Sequence, residues 1–431
     1  MKYKVLILQE DLFTDPSANT KLVFRLCEQL EVVGYDVSVL GIARNENEHI
    51  TAYRGIHLVH EPADNVKLYE QLIERLGKNK IMRYFLWPRS VWYRINYKSY
   101  TPFYLEVRRW LPKHINEYDV LIACCSPYYT LALASEVANK IPVIYYKIDP
   151  VSTIRQDNKN RDARMVSIAN EIKWDNAASR IVMQEVVYRD FMRLPTKVNG
   201  HKAVVVQFPN VRKIVPLQHP SKIVEQFDKA KINLLFVGKF YADIRHPQYL
   251  FNLMEPLRDT NIVLHIFGDM RYMGFDKEYI EKYFTNKIPN IRFHGVVPPE
   301  EADDLLLHAD VLVHVGNAVD SLMPSKILDY ISSGKPILNI CKIRTCPTLP
   351  LMERYPLGMT IYEPSAISGQ QSVISDQVVE QVKQFCIENK RKQVPYEQIE
   401  KIYPECTIEY VGQQFDETIQ IAINEFSKTK I

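Results

Sequence analysis

Between Asp310 and Ile340 the chain reads DVLVHVGNAVDSLMPSKILDYISSGKPILNI, and this block holds the residues best suited to chemistry. A strand ending at Val315 and a loop through Met323 and Pro324 lead into a helix that begins near Ser325. Proline suits a helix start, because its fixed φ fits the first turn and its missing N–H is not needed there. A helix N-terminus presents unpaired backbone N–H groups and the positive end of the dipole, which suits a diphosphate. Ser325 adds a hydroxyl and Lys326 a cation. Asp329 lies one turn on, on the same side as Ser325 and Lys326, where a carboxylate can accept from the two hydroxyls of a ribose. Gly334-Lys335-Pro336 ends the helix. The plainer alternative is that Ile327, Leu328, Tyr330 and Ile331 pack a core and Gly334 is only a stop signal.

Such residues need a scaffold, and the flanking sequence supplies one. Short apolar runs alternate with amphipathic stretches, which predicts parallel sheets joined by helices. In the first half, strands are expected at Lys4–Gln9, Asp36–Leu40, Ile56–His60, Asp119–Cys124, Pro142–Tyr146, Ser179–Met183 and Ala203–Phe208. Helices are expected at Asn19–Val33, where Leu22, Val23, Leu26, Leu30 and Val33 fall at helical spacing, and at Thr130–Asn139. A polar, Pro-containing stretch over about 213–229 reads as a linker. The alternation then restarts, with strands at Asn233–Val237, Ile262–Phe267, Ile291–Phe293, Asp310–Val315 and Pro336–Ile340. Helices are expected at Pro247–Leu257, Pro299–His308 and Ser325–Ser333, and a last helix near Glu409–Ser427 suits packing across the domain junction. The fold class is therefore α/β, with two Rossmann-like domains facing across a cleft: an N-terminal domain over 1–212, a C-terminal domain over 230–405 and a terminal helix over 406–431. Clefts between domains are favoured ligand sites.

The bulk numbers narrow the class further. The chain has 431 residues, 46% hydrophobic and 24% charged, as in a soluble globular protein. A net charge of +3 gives no global nucleic-acid footprint. No G-x-G-x-x-G follows the first strand and no phosphate loop with G-K-[ST] occurs, which argues against a nicotinamide dehydrogenase and a P-loop kinase. The seven cysteines are irregularly spaced and suggest no disulfide framework; Cys341 and Cys346 lack a second Cys/His pair for a metal. The first apolar run is too short for a signal peptide, and no run approaches a spanning helix, so a cytoplasmic protein is expected.

The block Pro324-Ser325-Lys326-Ile327-Leu328-Asp329-Tyr330 followed by Gly334-Lys335-Pro336 resembles the C-terminal domain of retaining GT-B glycosyltransferases. It is most similar to the large bacterial group 1 family that builds lipopolysaccharide, capsule and exopolysaccharide. The family pattern is P-S-K-x-x-E-Y-x-x-x-G-K-P; here Asp329 stands for the glutamate, and the family's earlier glutamate falls at Ser321, beside Asp320. Leu235-Phe236-Val237-Gly238 looks like the strand–glycine junction that opens the donor domain. Gly238-Lys239-Phe240 resembles the turn after which a cation binds the donor phosphates, which makes Lys239 and Arg245 the candidates. Phe267-Gly268-Asp269 is similar to the family's strand-G-[DS], and Phe293–Val297 to the segment whose backbone, at Val296 and Val297, reads the nucleotide base. Phe208-Pro209-Asn210-Val211 resembles the sequence before the interdomain linker. The resemblance implies a nucleotide-sugar donor, UDP-sugar first, with Ser321, Met323, Pro324, Ser325, Lys326 and Asp329 in its site and Arg245 and Lys326 in catalytic roles. It implies transfer with retention to a glycan or lipid-linked glycan. Cations and helix N–H groups would stabilise the departing diphosphate, so no metal ion or other cofactor is called for.

The first half carries weaker signals. Asp149, after a strand in Tyr145-Tyr146-Lys147-Ile148-Asp149-Pro150, suits either orientation of an acceptor or sugar, or simple capping of a turn before proline. Glu171 reads as a solvated helix charge. Residues 75–113, within an insertion over 65–115, interleave ten Lys and Arg with three of the four tryptophans and only one acid, Glu106. Arg83, Trp87, Arg89, Trp92 and Arg94 suit an anionic membrane surface, and the protein is then peripheral at the inner face of the membrane. The alternative is aromatics packed on the domain with cations around them; no nucleic-acid motif accompanies the segment. Two rival functions remain: a nucleotide-sugar epimerase of the same two-domain fold, and a non-catalytic glycan-binding or scaffold subunit, suggested by Ser321 at the acidic position.

Overall fold

The computed structural model describes residues 3–10, 12, 18–41, 57–58, 102–125, 128–149, 161–192, 202–269, 274–364 and 374–429. The chain divides into two compact units, Met1–Pro209 with Ile408–Ile431, and Asn210–Thr407. The first runs β1 (Lys4–Leu8), α1 (Ala18–Val33), β2 (Asp36–Gly41), β3 (His57–Leu58), α2 (Pro102–His114), β4 (Val120–Cys124), α3 (Tyr129–Ser135), β5 (Val143–Lys147), α4 (Arg161–Ala177), β6 (Arg180–Met183), α5 (Glu185–Met192) and β7 (Ala203–Val205). The second runs β8 (Ile232–Val237), α6 (Gln248–Met254), β9 (Ile262–Phe267), α7 (Lys277–Tyr283), β10 (Ile291–Gly295), α8 (Pro299–His308), β11 (Val311–Val315), α9 (Lys326–Ser333), β12 (Ile337–Cys341), α10 (Leu349–Met352), β13 (Gly358–Tyr362), α11 (Asp376–Asn389) and α12 (Tyr396–Ile402). The last helix, α13 (Ile408–Thr429), returns to the first unit.

Each unit is built on a parallel sheet. The strand orders are β3-β2-β1-β4-β5-β6-β7 and β10-β9-β8-β11-β12-β13. Parallel strands covered on both faces read as continuous apolar runs, and every residue of β8 (INLLFV) is buried. Strand order reverses between β1 and β4 in one unit and between β8 and β11 in the other. At such switch points the crossovers leave to opposite faces, opening a crevice at the carboxyl ends of the strands.

The helices follow from their apolar stripes. On α1, Leu22, Val23, Leu26, Cys27 and Leu30 are buried, while Val32 is 79% exposed. Gly34, at φ +115°, takes the left-handed turn that ends the helix, and the Tyr35 amide caps the Leu30 carbonyl at 2.9 Å. On α13 a Cβ at Gly412 would lie 2.2 Å from Cγ of Gln29, so glycine is what lets α13 approach α1. Phe415 of α13 meets Tyr146 edge-on at 5.0 Å.

Elements with a strong period lie close to expectation: α8 spans Pro299–His308 and β9 spans Ile262–Phe267, as the sequence suggests. The helix expected over Thr130–Asn139 is the shorter α3, and α2, α5, α7, α10, β13, α11 and α12 form where the sequence pattern predicts no element. Glu171 corrects an expectation: it is 4% exposed, and Lys147 Nζ sits 2.8 Å from its Oε1 and 2.7 Å from Asp175 Oδ2. A lysine at the end of a buried strand must find carboxylates, and α4 supplies two one turn apart. Arg83, Trp87, Arg89, Trp92 and Arg94 lie outside the described residues. The end of that segment, α2, packs on the first unit: Tyr104 is buried against Tyr129 at 5.7 Å, and Arg108 pairs with Glu136 at 3.1 Å. Among the described residues no helix is long and apolar enough to cross a membrane.

Candidate functional site

The second unit's switch point begins where two strands part. β8 and β11 are in register over two pairs, Val311↔Leu234 and Leu312↔Leu235. Beyond them, Val237 at the end of β8 is satisfied by α9 instead. Its N–H donates to the Tyr330 hydroxyl at 2.8 Å, and that hydroxyl donates to the Val237 carbonyl at 3.2 Å. One phenol thus replaces two ladder bonds and ties α9 to the strand end. Gly238 follows at φ +153°, a conformation that side chains resist, and its amide bonds to the Phe267 carbonyl at 2.9 Å. Gly268 continues the series with a 2.7 Å bond to the Gly295 carbonyl. Opposite, Gly316 ends β11 in tight quarters: an added Cβ would come 2.9 Å from Cys346 Sγ.

The helix tip differs from expectation in detail. The first helical residue is Lys326, Ser325 is the flanking cap, and Pro324 stands one position before the cap rather than inside the first turn. The Ile327 and Leu328 amides bond back to the Pro324 and Ser325 carbonyls at 3.2 and 3.1 Å. Fewer donors therefore face outward than a helix start would offer, those of Ser325 and Lys326 being left by these two bonds. The other end is firm. Gly334 caps the helix at φ +70°, and a Cβ there would collide with the Val394 carbonyl oxygen at 2.1 Å.

Lys326 Nζ lies 3.2 Å from Asp329 Oδ2, with side chains 30% and 14% exposed. A partly exposed pair at this spacing is worth only about 0.3–0.5 kcal/mol, so a ligand can separate it cheaply. Ser321 and Met323 are half-buried in the loop before the tip, and Pro324 is buried. Lys239 is exposed. Val296 is 66% exposed and Val297 half-buried at the end of β10. His294, just before them, stacks on Phe267 at 4.4 Å and joins His265 through a 3.0 Å ring-nitrogen contact. Burial holds the His294 imidazole down at about 4 and that of His265 at about 3, so both are neutral near pH 7.

Arg245 is the most informative charge. Its Nε donates to Asn317 Oδ1 at 2.8 Å and its Nη1 to the Lys239 carbonyl at 3.4 Å. Its guanidinium lies 5.8 Å from the Tyr241 ring centroid. Burial lowers its pKa, and the neighbours that act on it are Tyr241, Tyr330 and Cys346. Among the described residues no carboxylate forms an ion pair with it. A half-buried guanidinium held by neutral oxygens keeps its charge available to an anion. It also acts inward: burial first, then Arg245, pushes the His314 imidazole to about 3, while His314 Nδ1 bonds Asn339 Oδ1 at 2.8 Å.

Gly238, Lys239, Arg245, Gly268, Val296, Val297 and the 321–329 stretch all belong to the second unit. Asp149 belongs to the first unit, past the end of β5. Asn19 Nδ2 donates to its Oδ2 at 2.6 Å, and burial raises its pKa against that bond. Two residues of the site were not singled out from sequence. Tyr330 passes for a core aromatic because its hydroxyl partner is 93 positions away. Asn317 carries a faint signal, a buried-type amide directly after a strand-ending glycine. Among the described residues no group of three or more His, Cys, Asp or Glu side chains is placed to hold a metal ion.

Residues 231–343 match the family model for glycosyl transferases group 1. No curated protein matches the chain. Among solved structures, HepE from Anabaena in complex with UDP shares 13% identity at a TM-score of 0.62, over 97% of this chain and 100% of that one. WaaG, a glycosyltransferase involved in lipopolysaccharide biosynthesis, shares 13% identity at a TM-score of 0.57, over 97% and 99%. Sucrose-phosphate synthase from Thermosynechococcus elongatus shares 12% identity at 0.56, over 100% and 98%. Two Rossmann-like α/β units on parallel sheets, with a glycosyl transferases group 1 segment spanning the switch point of the second, give this chain the GT-B fold.

Proposed function

We propose that this protein is a glycosyltransferase that moves a sugar from a nucleotide diphosphate, UDP first, to a hydroxyl of a glycan or lipid-linked glycan. The observation that carries this is Arg245, a half-buried cation beside the parted ends of β8 and β11 whose partners among the described residues are all neutral. An anion there restores the electrostatic balance that the protein leaves open. The group 1 match over 231–343 and the UDP bound by the HepE neighbour support the same choice of ligand.

In this scheme the second unit binds the donor and the first the acceptor. Arg245, Lys326 and the tip amides of Ser325 and Lys326 hold the diphosphate, with Ser321 and Met323 in the adjoining loop and Lys239 at the turn. Asp329 releases Lys326 to the phosphates and accepts from the ribose hydroxyls. The backbone at Val296 and Val297 faces the base, and Gly238 and Gly268 keep side chains away from the phosphates. The bond from the anomeric carbon to the phosphate oxygen breaks as the acceptor oxygen bonds to the same carbon. The acceptor proton passes to the leaving phosphate, and configuration is retained. Cations and amides stabilise the charge that develops on the diphosphate, so no metal is required. Asp149 orients the acceptor. A peripheral place at an anionic membrane, through the segment around Trp87 and Trp92, belongs to this scheme and is tested by salt-sensitive co-sedimentation with anionic vesicles.

Calorimetry with UDP tests the core. Asp329→Ala removes charged hydrogen bonds worth about 1.5–3 kcal/mol, so affinity should fall roughly tenfold to a hundredfold. Unchanged affinity would remove Asp329 from the site. Incubation with a panel of nucleotide sugars then separates transfer or donor hydrolysis from free epimerised sugar or no turnover.

A further inference from the structure

We propose that Asn317 is a positioning residue that locks the two phosphate-gripping loops of the second unit in register, while leaving the charge of Arg245 unspent. The inference rests on the donor-site assignment above and adds a residue to it. Asn317 is 2% exposed and lies two residues beyond β11. Its Oδ1 accepts from Arg245 Nε at 2.8 Å, and its Nδ2 donates to the Leu322 carbonyl at 3.0 Å. One amide thus grips the loop that follows β8 and, with its other end, the loop that leads to Ser325. An amide accepts through its oxygen and donates through its nitrogen at two separate atoms, and it carries no charge. The backbone reinforces the contact, since the Ala318 amide donates to the Ile244 carbonyl at 2.6 Å. Tyr241 and Arg245 close the first loop by exchanging two backbone bonds of 3.2 and 3.0 Å.

The chemistry of the amide matters more than its size. A carboxylate at 317 would hold Nε equally well but would cancel the guanidinium, and the anion site would vanish. With Nε and Nη1 given to neutral oxygens, the remaining N–H groups keep the full positive charge for a diphosphate. Fixing Leu322 also fixes the peptide run into Pro324 and the helix tip. The freedom lost on binding is then small, which is the gain from preorganisation.

The test is a mutant cycle read by UDP calorimetry on the full chain, using wild type, Asn317→Ala, Asn317→Asp, Arg245→Ala and the Asn317→Ala/Arg245→Ala double variant. Asn317→Ala should weaken UDP about tenfold, as expected for a hydrogen bond to a charged group. Asn317→Asp, with the same shape, should weaken it more. The losses in the double variant should be less than multiplicative, because part of the effect of Asn317 passes through Arg245. A merely structural asparagine would give multiplying losses and equal effects of Ala and Asp; either result overturns the inference. If Asn317→Ala does not fold, the isosteric Asp variant decides alone: affinity equal to wild type refutes the proposal. If wild type does not bind UDP, or Arg245→Ala binds as tightly, the donor site itself fails, which is a separate outcome.

Discussion

The two units answer the same electrostatic problem in opposite ways. Each places a long cation at or beyond a strand of its parallel sheet, Lys147 at the end of β5 and Arg245 in the loop that follows β8. Lys147 is 1% exposed as a side chain and meets two carboxylates, Glu171 and Asp175, themselves 5% and 0% exposed. Arg245 meets an amide and a carbonyl. The first cluster is closed, with its cation more than cancelled by the protein. The second is open: among the described residues no carboxylate pairs with its cation. Burial of a charge does not by itself point to a ligand; what separates the two cations is whether a carboxylate among the described residues pairs with them.

Lys147→Ala should have the largest effect. It leaves two carboxylates facing each other in the core, an uncompensated burial that costs about 3–5 kcal/mol. Urea unfolding should show that loss at unchanged m-value, while UDP affinity of the folded protein stays within about twofold. A loss under about 1 kcal/mol would mean the triad is not closed.

Acid should divide the units next. His265 and His314 are each 3% exposed and, with burial holding them at about 3, bind a proton far more readily when unfolded. Their contribution is present above the unfolded value near 6.5 and is lost as pH falls through the window below it. Each costs up to about 1.4 kcal/mol per pH unit there. Asp175 runs the other way. Burial raises it to about 6 against the pull of Lys147, so its contribution is lost as pH rises through that value and regained on acidification. Hydrogen exchange at pH 7 and pH 4.5, corrected for intrinsic rates, should show β9 and β11 losing protection more than β5 and β6. Equal loss in both would break the contrast.

The smallest stability effect belongs to Lys326→Ala. Its pair with Asp329 is partly exposed, so the melting free energy should move by no more than about 0.5 kcal/mol. UDP affinity should nevertheless fall about tenfold, from the loss of a charged contact. A stability loss without an affinity loss would class Lys326 with Lys147.

The sequence determined the alternation. Apolar runs such as IVLHIF at 262–267 and the stripe of α1 are local, and burial on both faces of a parallel sheet leaves little else for such a strand to be. It also determined the helix tip, since Pro324, Ser325, Lys326, Asp329 and Gly334 are neighbours in the chain. Tertiary structure alone decided which polar residues spend their charge inside the protein. Glu171 and Lys147 are 24 positions apart, Arg245 and Asn317 are 72 apart, and Tyr330 and Val237 are 93 apart. Spacing along the chain says nothing about such pairs; they meet because crossovers bring strand ends and helix starts to one edge of a sheet.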